Sequence, residues 1–377
     1  MSRERVRSPS WQNIMFRVSC TARLAPSTPL VSEATARILV SRLTHWLQRF
    51  SFLLRLVVTL SLVAFLISRI DFKRLPETIS SIYWLPLVIA FGFGHVDRFL
   101  MALKWRLLIK PQGLSVSVSD AITTTYMGNF GGQFLPGGIG TDVVRIYLLR
   151  KLNLPTISVA ASILLERVLG LYAHIIVALI ALAIAKSGVV AIPEKLSWAI
   201  VLLFLLYTVG FAISFAPWAE GLLETCSKRF PHLRYLHKAL AGVKSYRLYR
   251  NNKSTLITFF ALSMLEVVVV TLSFYFAAEA MALKISLLQL LVSVPLILIL
   301  ARIPVSVSGI GVFEAVVALF FVQFGESISH AAIYGFLLRI LQLFVLLPGG
   351  FLYLMEKPRT RRDNSGEMPL SLAGESK

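Results

Sequence analysis

Met127-Gly-Asn-Phe-Gly-Gly-Gln-Phe-Leu-Pro-Gly-Gly-Ile-Gly-Thr-Asp-Val-Val-Arg-Ile-Tyr147 interrupts a chain that is otherwise mostly Leu, Ile, Val, Phe and Ala. Pro136 and the glycines at 137, 138 and 140 break a continuous helix, because proline lacks an amide proton and glycine loses the most backbone entropy. The same stretch carries two amides (Asn129, Gln133), an acid (Asp142) and a base (Arg145). On a water-exposed surface this is an ordinary loop. At membrane depth, broken backbone survives only where protein or a polar cavity encloses it. The surrounding chain decides between the two.

That surrounding chain is apolar. Of 377 residues, 56% are hydrophobic and 15% charged, with a mean hydropathy of +0.74; soluble domains carry about 25% charged residues. The apolar runs are long and do not alternate, so they predict an all-α, polytopic integral membrane bundle rather than a barrel. The net charge of +19 lies between the runs, where the positive-inside rule places it in any multispanning protein, and contact with anionic headgroups is a further role for it. It does not call for nucleic acid. Cys20 and Cys226 supply neither a disulfide framework nor a zinc site. The six histidines have no metal-ligand spacing, so neither a metal nor a cofactor is expected.

In chain order, residues 1–50 form a basic arm expected to be disordered and cytoplasmic. Residues 51–355 are the membrane domain, and 356–377 are a basic cytoplasmic tail. Full spans are expected near 53–70, 82–95, 156–185, 198–215, 256–278 and 331–354. The stretch 98–110, with Lys104, Trp105 and Arg106, has the character of a cytoplasmic interface. Residues 118–135 are too polar to face lipid.

The opening stretch has an echo. Pro136…Gly138-Ile-Gly140-Thr-Asp142 and Pro304…Gly309-Ile-Gly311-Val-Phe-Glu314 share proline, Gly-Ile-Gly and an acid. The offset (309 − 138 = 171) also relates Ser158-Val-Ala-Ala to Ser329-His-Ala-Ala, and one inserted residue aligns Arg167 with Arg339. The distribution of basic residues then puts both termini inside. It makes 118–144 a re-entrant hairpin from the cytoplasmic face and 286–325 a second one from the opposite face. The prediction is six full spans plus two opposed hairpins, an inverted-topology repeat of the transporter kind.

Each returning half-helix would expose its first amide groups as an anion site. Glycines at 138, 140, 309 and 311 let a ligand approach the backbone, and Ser306 and Ser308 add hydroxyls. Arg145, Arg167, Arg302 and Arg339 suit phosphate, which guanidinium binds bidentately. Asp142, Glu166 and Glu314 are their charge partners, since an ionisable group in a membrane helix costs roughly 2.5–3.5 kcal/mol. His174 reads as a satisfied buried histidine.

Asn129-Phe-x-x-Gln-Phe-Leu-Pro136-Gly-Gly-Ile-Gly-x-Asp142-x-x-Arg145, Glu166-Arg167-x-x-Gly170 and Pro304-x-Ser306-x-Ser308-Gly-Ile-Gly-x-x-Glu314 resemble the transmembrane region of lysylphosphatidylglycerol synthases, shared with stand-alone flippase-like proteins. Lys104-Trp105-Arg106-Leu-Leu is similar to a basic-aromatic motif of that family. The resemblance implies an inner-membrane bundle associated with lipid translocation. The aminoacyl-transferase domain of a full synthase is not expected here, because the chain stops soon after Leu354. The leading expectation is therefore a translocase, not an enzyme, for an anionic or phosphate-bearing membrane lipid held between the hairpins by Asn129, Gln133, Pro136 and the glycines, serines and arginines above. Two alternatives stay open: an integral-membrane transferase acting on a lipid-phosphate or polyprenyl carrier, and a non-transporting subunit of an envelope-lipid assembly complex.

Overall fold

Apolar runs without alternation satisfy their own backbone groups as helices, and no strand occurs among the described residues. The computed structural model describes residue 50 and residues 53–135, 140–185, 194–214, 247–303 and 305–355, with scattered positions between 221 and 245. The basic arm up to residue 49, the tail from 356, Pro136, Gly138, Pro304 and residues 228–239 of the basic loop lie outside the described residues. The membrane helices all belong to one unit, which begins at residue 52.

The fully described α-helices begin with α1 (Leu53–Ser68), α2 (Leu75–Ser80), α3 (Trp84–Ile109), α4 (Val118–Gly132), α5 (Gly140–Lys151), α6 (Thr156–Ile184) and α7 (Glu194–Ser214). They continue with α8 (Lys253–Ala280), α9 (Leu287–Leu300), α10 (Val312–Gln323) and α11 (Ile328–Met355). By length and apolarity α3, α6, α8 and α11 can cross a membrane, whereas α1 and the apolar part of α7 are shorter. The predicted six spans thus reduce to four of full length plus these two. Leu85, Leu206, Ile257, Phe351 and Leu354 are exposed, an apolar outer surface suited to acyl chains.

One expectation fails locally. The stretch 98–110 is not an interfacial segment but the second half of the continuous α3, and Asp97, Lys104 and Trp105 on it are buried. Their partners explain the error: Lys104 pairs with Glu266 on α8, and the Trp105 indole donates to Ser162 on α6 at 3.1 Å. A basic-aromatic run thus faces inward wherever neighbouring helices supply acids and hydroxyls.

The duplication is visible element by element. A long helix (α3, α8) ends in a left-handed residue, Gly113 (φ 72°) or Ala282 (φ 53°). A serine N-cap follows, with Ser117 accepting from Asp120 N and Ser286 from Gln289 N. Then come a helix, a break, a second short helix, another left-handed residue (Asn153 or Gly325) and a closing long helix, α6 or α11.

Equivalent helices of the two repeats run antiparallel. Tyr83 N, at the start of α3, donates to Ala280 O at the end of α8, and Ser273 Oγ donates to Ala90 O. Further along, Lys104 meets Ser263 and Glu266, and Tyr249 Oη, ahead of α8, donates to Leu108 O. The repeats also exchange neighbours: α4 packs on α11, and α9 packs on α6.

The α4–α11 crossing depends on Gly349 and Gly350, because a Cβ on Gly349 would collide with the Tyr126 carbonyl and one on Gly350 would lie 2.9 Å from the Phe130 ring. Gly349→Leu overpacks this contact and should lower unfolding free energy by about 1–3 kcal/mol, read as a lower melting temperature of the detergent-solubilised protein. An unchanged melting temperature would show that the crossing adapts.

Candidate functional site: a charged cavity between two helix breaks

The two breaks meet. Ser308, at the second break, donates its hydroxyl to the Gln133 carbonyl at the first, at 2.6 Å. The second break is shaped by left-handed Ser308 (φ 52°), Gly309 (φ 73°) and Gly311 (φ 82°), and α1 backs it through Thr59, whose hydroxyl accepts from Val307 N. Residues of both breaks and of α3, α6, α8 and α11 line one cavity of about 300 Å³.

The sequence-predicted residues divide. Asn129, Gln133, Gly140, Arg167, Glu166 and Arg302 line the cavity, as do Ser306, Ser308, Gly309 and Arg339. Arg145, Asp142, Gly311 and Glu314 stand behind the wall, while Pro136 and Gly138 lie outside the described residues. His174, also on the wall, is satisfied by Gly170 O at 2.7 Å. Sequence reasoning missed Asp97, Arg98 and Lys104 as wall residues, and Glu266, which it offers only as a weaker candidate, also lies on the wall. Their signal was present, since Asp97-Arg98 and Glu266 sit inside otherwise apolar helices.

Two expectations change in detail. The amide end of α10 is not open to an anion, because Glu314 Oε2 accepts from Gly311 N at 2.7 Å and caps the helix. Ser308 does not offer its hydroxyl proton to a ligand, because it donates to Gln133. Ser306 differs: it is 2% exposed, and its hydroxyl makes no hydrogen bond within the protein.

The ion pairs repeat with the fold. Asp142, in the first turn of α5, takes Arg167 of α6 through three hydrogen bonds of 2.7–3.3 Å. Glu314, in the first turn of α10, takes Arg339 of α11 at 2.6 Å. The partners are 25 residues apart in both cases, and the pairs are related by one offset (314 − 142 = 339 − 167 = 172). Arg339 also donates to Gly309 O at 3.1 Å and lies over the Phe313 ring. Both oxygens of each acid are therefore engaged, which leaves neither free as a base.

Three further pairs complete the set: Arg98–Asp97 at 3.1 Å, Lys104–Glu266, and Arg145–Glu166 at 2.8 Å. Arg302 alone among these cations has no ion pair and no side-chain hydrogen bond among the described residues, and it is exposed on the cavity wall. Among the described residues the cluster thus holds six cations against five carboxylates.

A sequence-family model of the lysylphosphatidylglycerol synthase TM region matches residues 52–350. The chain belongs to that family. It is accordingly a multi-pass membrane protein of a lipid-related family, and the match spans both helical repeats and the cavity between their breaks. No curated protein matches it.

Breaking the Glu314–Arg339 pair from one side strands a charge at the cavity wall. Arg339→Ala or Glu314→Ala alone should cost about 3–5 kcal/mol by chemical denaturation in detergent. The double variant should cost clearly less than the sum, and additive losses would show the two side chains to be uncoupled.

Proposed function

We propose that the chain is a membrane translocase for an anionic, phosphate-bearing lipid, whose headgroup passes through the cavity while its acyl chains stay in the bilayer. The observation that carries this reading is Arg302: a cation without an acid, on the wall of a cavity built from both breaks. An unpaired guanidinium at such a site is costly unless an anion completes it, and phosphate accepts its fork of donors bidentately. Ser306, buried four residues on with an unused hydroxyl, supplies a further donor to the same anion.

On this reading the broken pairs α4/α5 and α9/α10 are re-entrant hairpins that enter from opposite faces, as the antiparallel run of α3 and α8 supports. α1 and α7 complete six spans. The basic segments between helices, by the positive-inside rule, support both termini lying in the cytoplasm of an inner-membrane protein. No bond is made or broken: the protein's work is to lower the barrier for a charged headgroup in hydrocarbon.

Proteoliposomes carrying fluorescent lipids test this directly. The folded wild-type chain should move an anionic phospholipid between leaflets, and Arg302→Ala should slow that movement about 10- to 100-fold, the loss expected for hydrogen bonds to a charged group. Absence of movement for every anionic lipid would reject the translocase.

Gly140→Leu and Gly311→Leu should each abolish transport while leaving membrane insertion intact. A side chain at 140 lies 2.6 Å from the Gly132 carbonyl, and Gly311 has a left-handed backbone. Full transport in either variant would mean that the breaks are mere connectors.

A further inference from the structure

The five ion pairs of the cluster are not equally bonded. In four of them the cation donates a hydrogen bond to its acid: Lys104 to Glu266, Arg145 to Glu166, Arg167 to Asp142 and Arg339 to Glu314. Arg98 and Asp97 meet at 3.1 Å without one, and Asp97 accepts no hydrogen bond among the described residues. The cause is local. Consecutive residues of a helix point in different directions, so only the length of the arginine brings the two charges together. Arg98 Nε is buried without an acceptor, and Nη1 lies 3.9 Å from the Met101 sulfur, a weak one. Both residues stand on the cavity wall, where Asp97 is 6% exposed.

The other titratable groups around Asp97 are committed. Glu266 of α8 is held by Lys104, and Glu166 of α6 by Arg145. His174 of α6 is bonded to Gly170 O, and Tyr126 of α4 to His95, at 2.7 Å each. Arg167 of α6, Arg339 of α11 and Arg302 share the wall, but a guanidinium does not give up its proton in a protein. Among the carboxylates of the wall, Asp97 is the one that no hydrogen bond holds.

We propose that Asp97 is a proton-binding site that couples lipid movement to proton movement in the same direction. The inference rests on the translocase reading of the cavity and adds its energy source. On the loading side a proton from water adds to an Asp97 carboxylate oxygen, and the neutral acid releases Arg98. The freed guanidinium turns its donors, including the idle Nε, to the headgroup phosphate beside Arg302. On the far side the phosphate leaves, Arg98 returns to Asp97, and the proton goes back to water. Carboxylate and phosphate compete for the same donors, which ties the two events together. A charged Asp97 stripped of its arginine inside the bundle is costly, so Arg98 turns only once the proton has arrived. One proton and one phosphodiester charge cross together. The cycle then carries no net charge, and a pH gradient rather than the membrane potential drives it.

The test uses the full chain in proteoliposomes with fluorescent phosphatidylglycerol, whose phosphodiester keeps its single charge across the pH range used. The lumen holds a pH-sensitive dye, and potassium with valinomycin holds the membrane potential at zero. With the lumen about one pH unit more alkaline than the bath, one-to-one coupling should enrich the lipid in the inner leaflet about tenfold. Protein-free vesicles under the same gradient give the background. The lumen should acidify as the lipid enters. Asp97→Asn removes the proton site and should bring the leaflet ratio close to one. If that variant does not fold, luminal acidification in the wild-type vesicles decides.

An even distribution under the gradient, without acidification, would overturn the coupling and leave an uncoupled translocase. Enrichment that persists in Asp97→Asn would overturn the role of Asp97 and give the proton to another group. No movement of any anionic lipid would instead reject the translocase itself, and the coupling with it.

Discussion

Charges inside a membrane bundle must be matched, and that constraint organises this protein. Each buried cation costs too much to stand alone in hydrocarbon. Arg98, Lys104, Arg145, Arg167 and Arg339 are therefore each held by a carboxylate on the same helix or an adjacent one. The helix breaks exist within this framework. Asp142 and Glu314 sit in the first turns of the returning helices, where the backbone favours negative charge, and each also reaches an arginine on the following long helix. One acid thus caps or steadies a broken helix and ties it to an unbroken one. Without the pairs the breaks would be unsupported polar backbone; without the breaks the arginines would have no wall to line.

Much of this was legible in the sequence, for identifiable reasons. Helix type followed from long apolar runs, and the duplication from a shared Gly-Ile-Gly and acid at offsets of 171 and 172 residues. Asp142, Glu166 and Glu314 were readable as partners because an acid near an arginine inside an apolar stretch has few other uses. The exact pairing was not readable: Glu166 takes Arg145, not its neighbour Arg167, because consecutive residues on a helix point in different directions. The inward turn of Lys104 and Trp105 was also hidden. A basic-aromatic run looks the same whether it meets headgroups or a second helix, and only the crossing of α3 with α8 brings Glu266 to Lys104. Likewise Ser308 looked like a ligand donor until the contact between the two breaks used its hydroxyl.

On the translocase proposal, the antiparallel relation of the repeats gives the charge pattern its significance. Asp142–Arg167 and Glu314–Arg339 are the same device in opposite orientation, so on that proposal a headgroup entering from either face would meet a break, an acid and an arginine. A carrier working as proposed would not strand a charge in either orientation, because its hydrogen-bonded internal pairs would stay closed while the headgroup is with Arg302. The unmatched cation is then the variable element and the hydrogen-bonded pairs are the fixed ones.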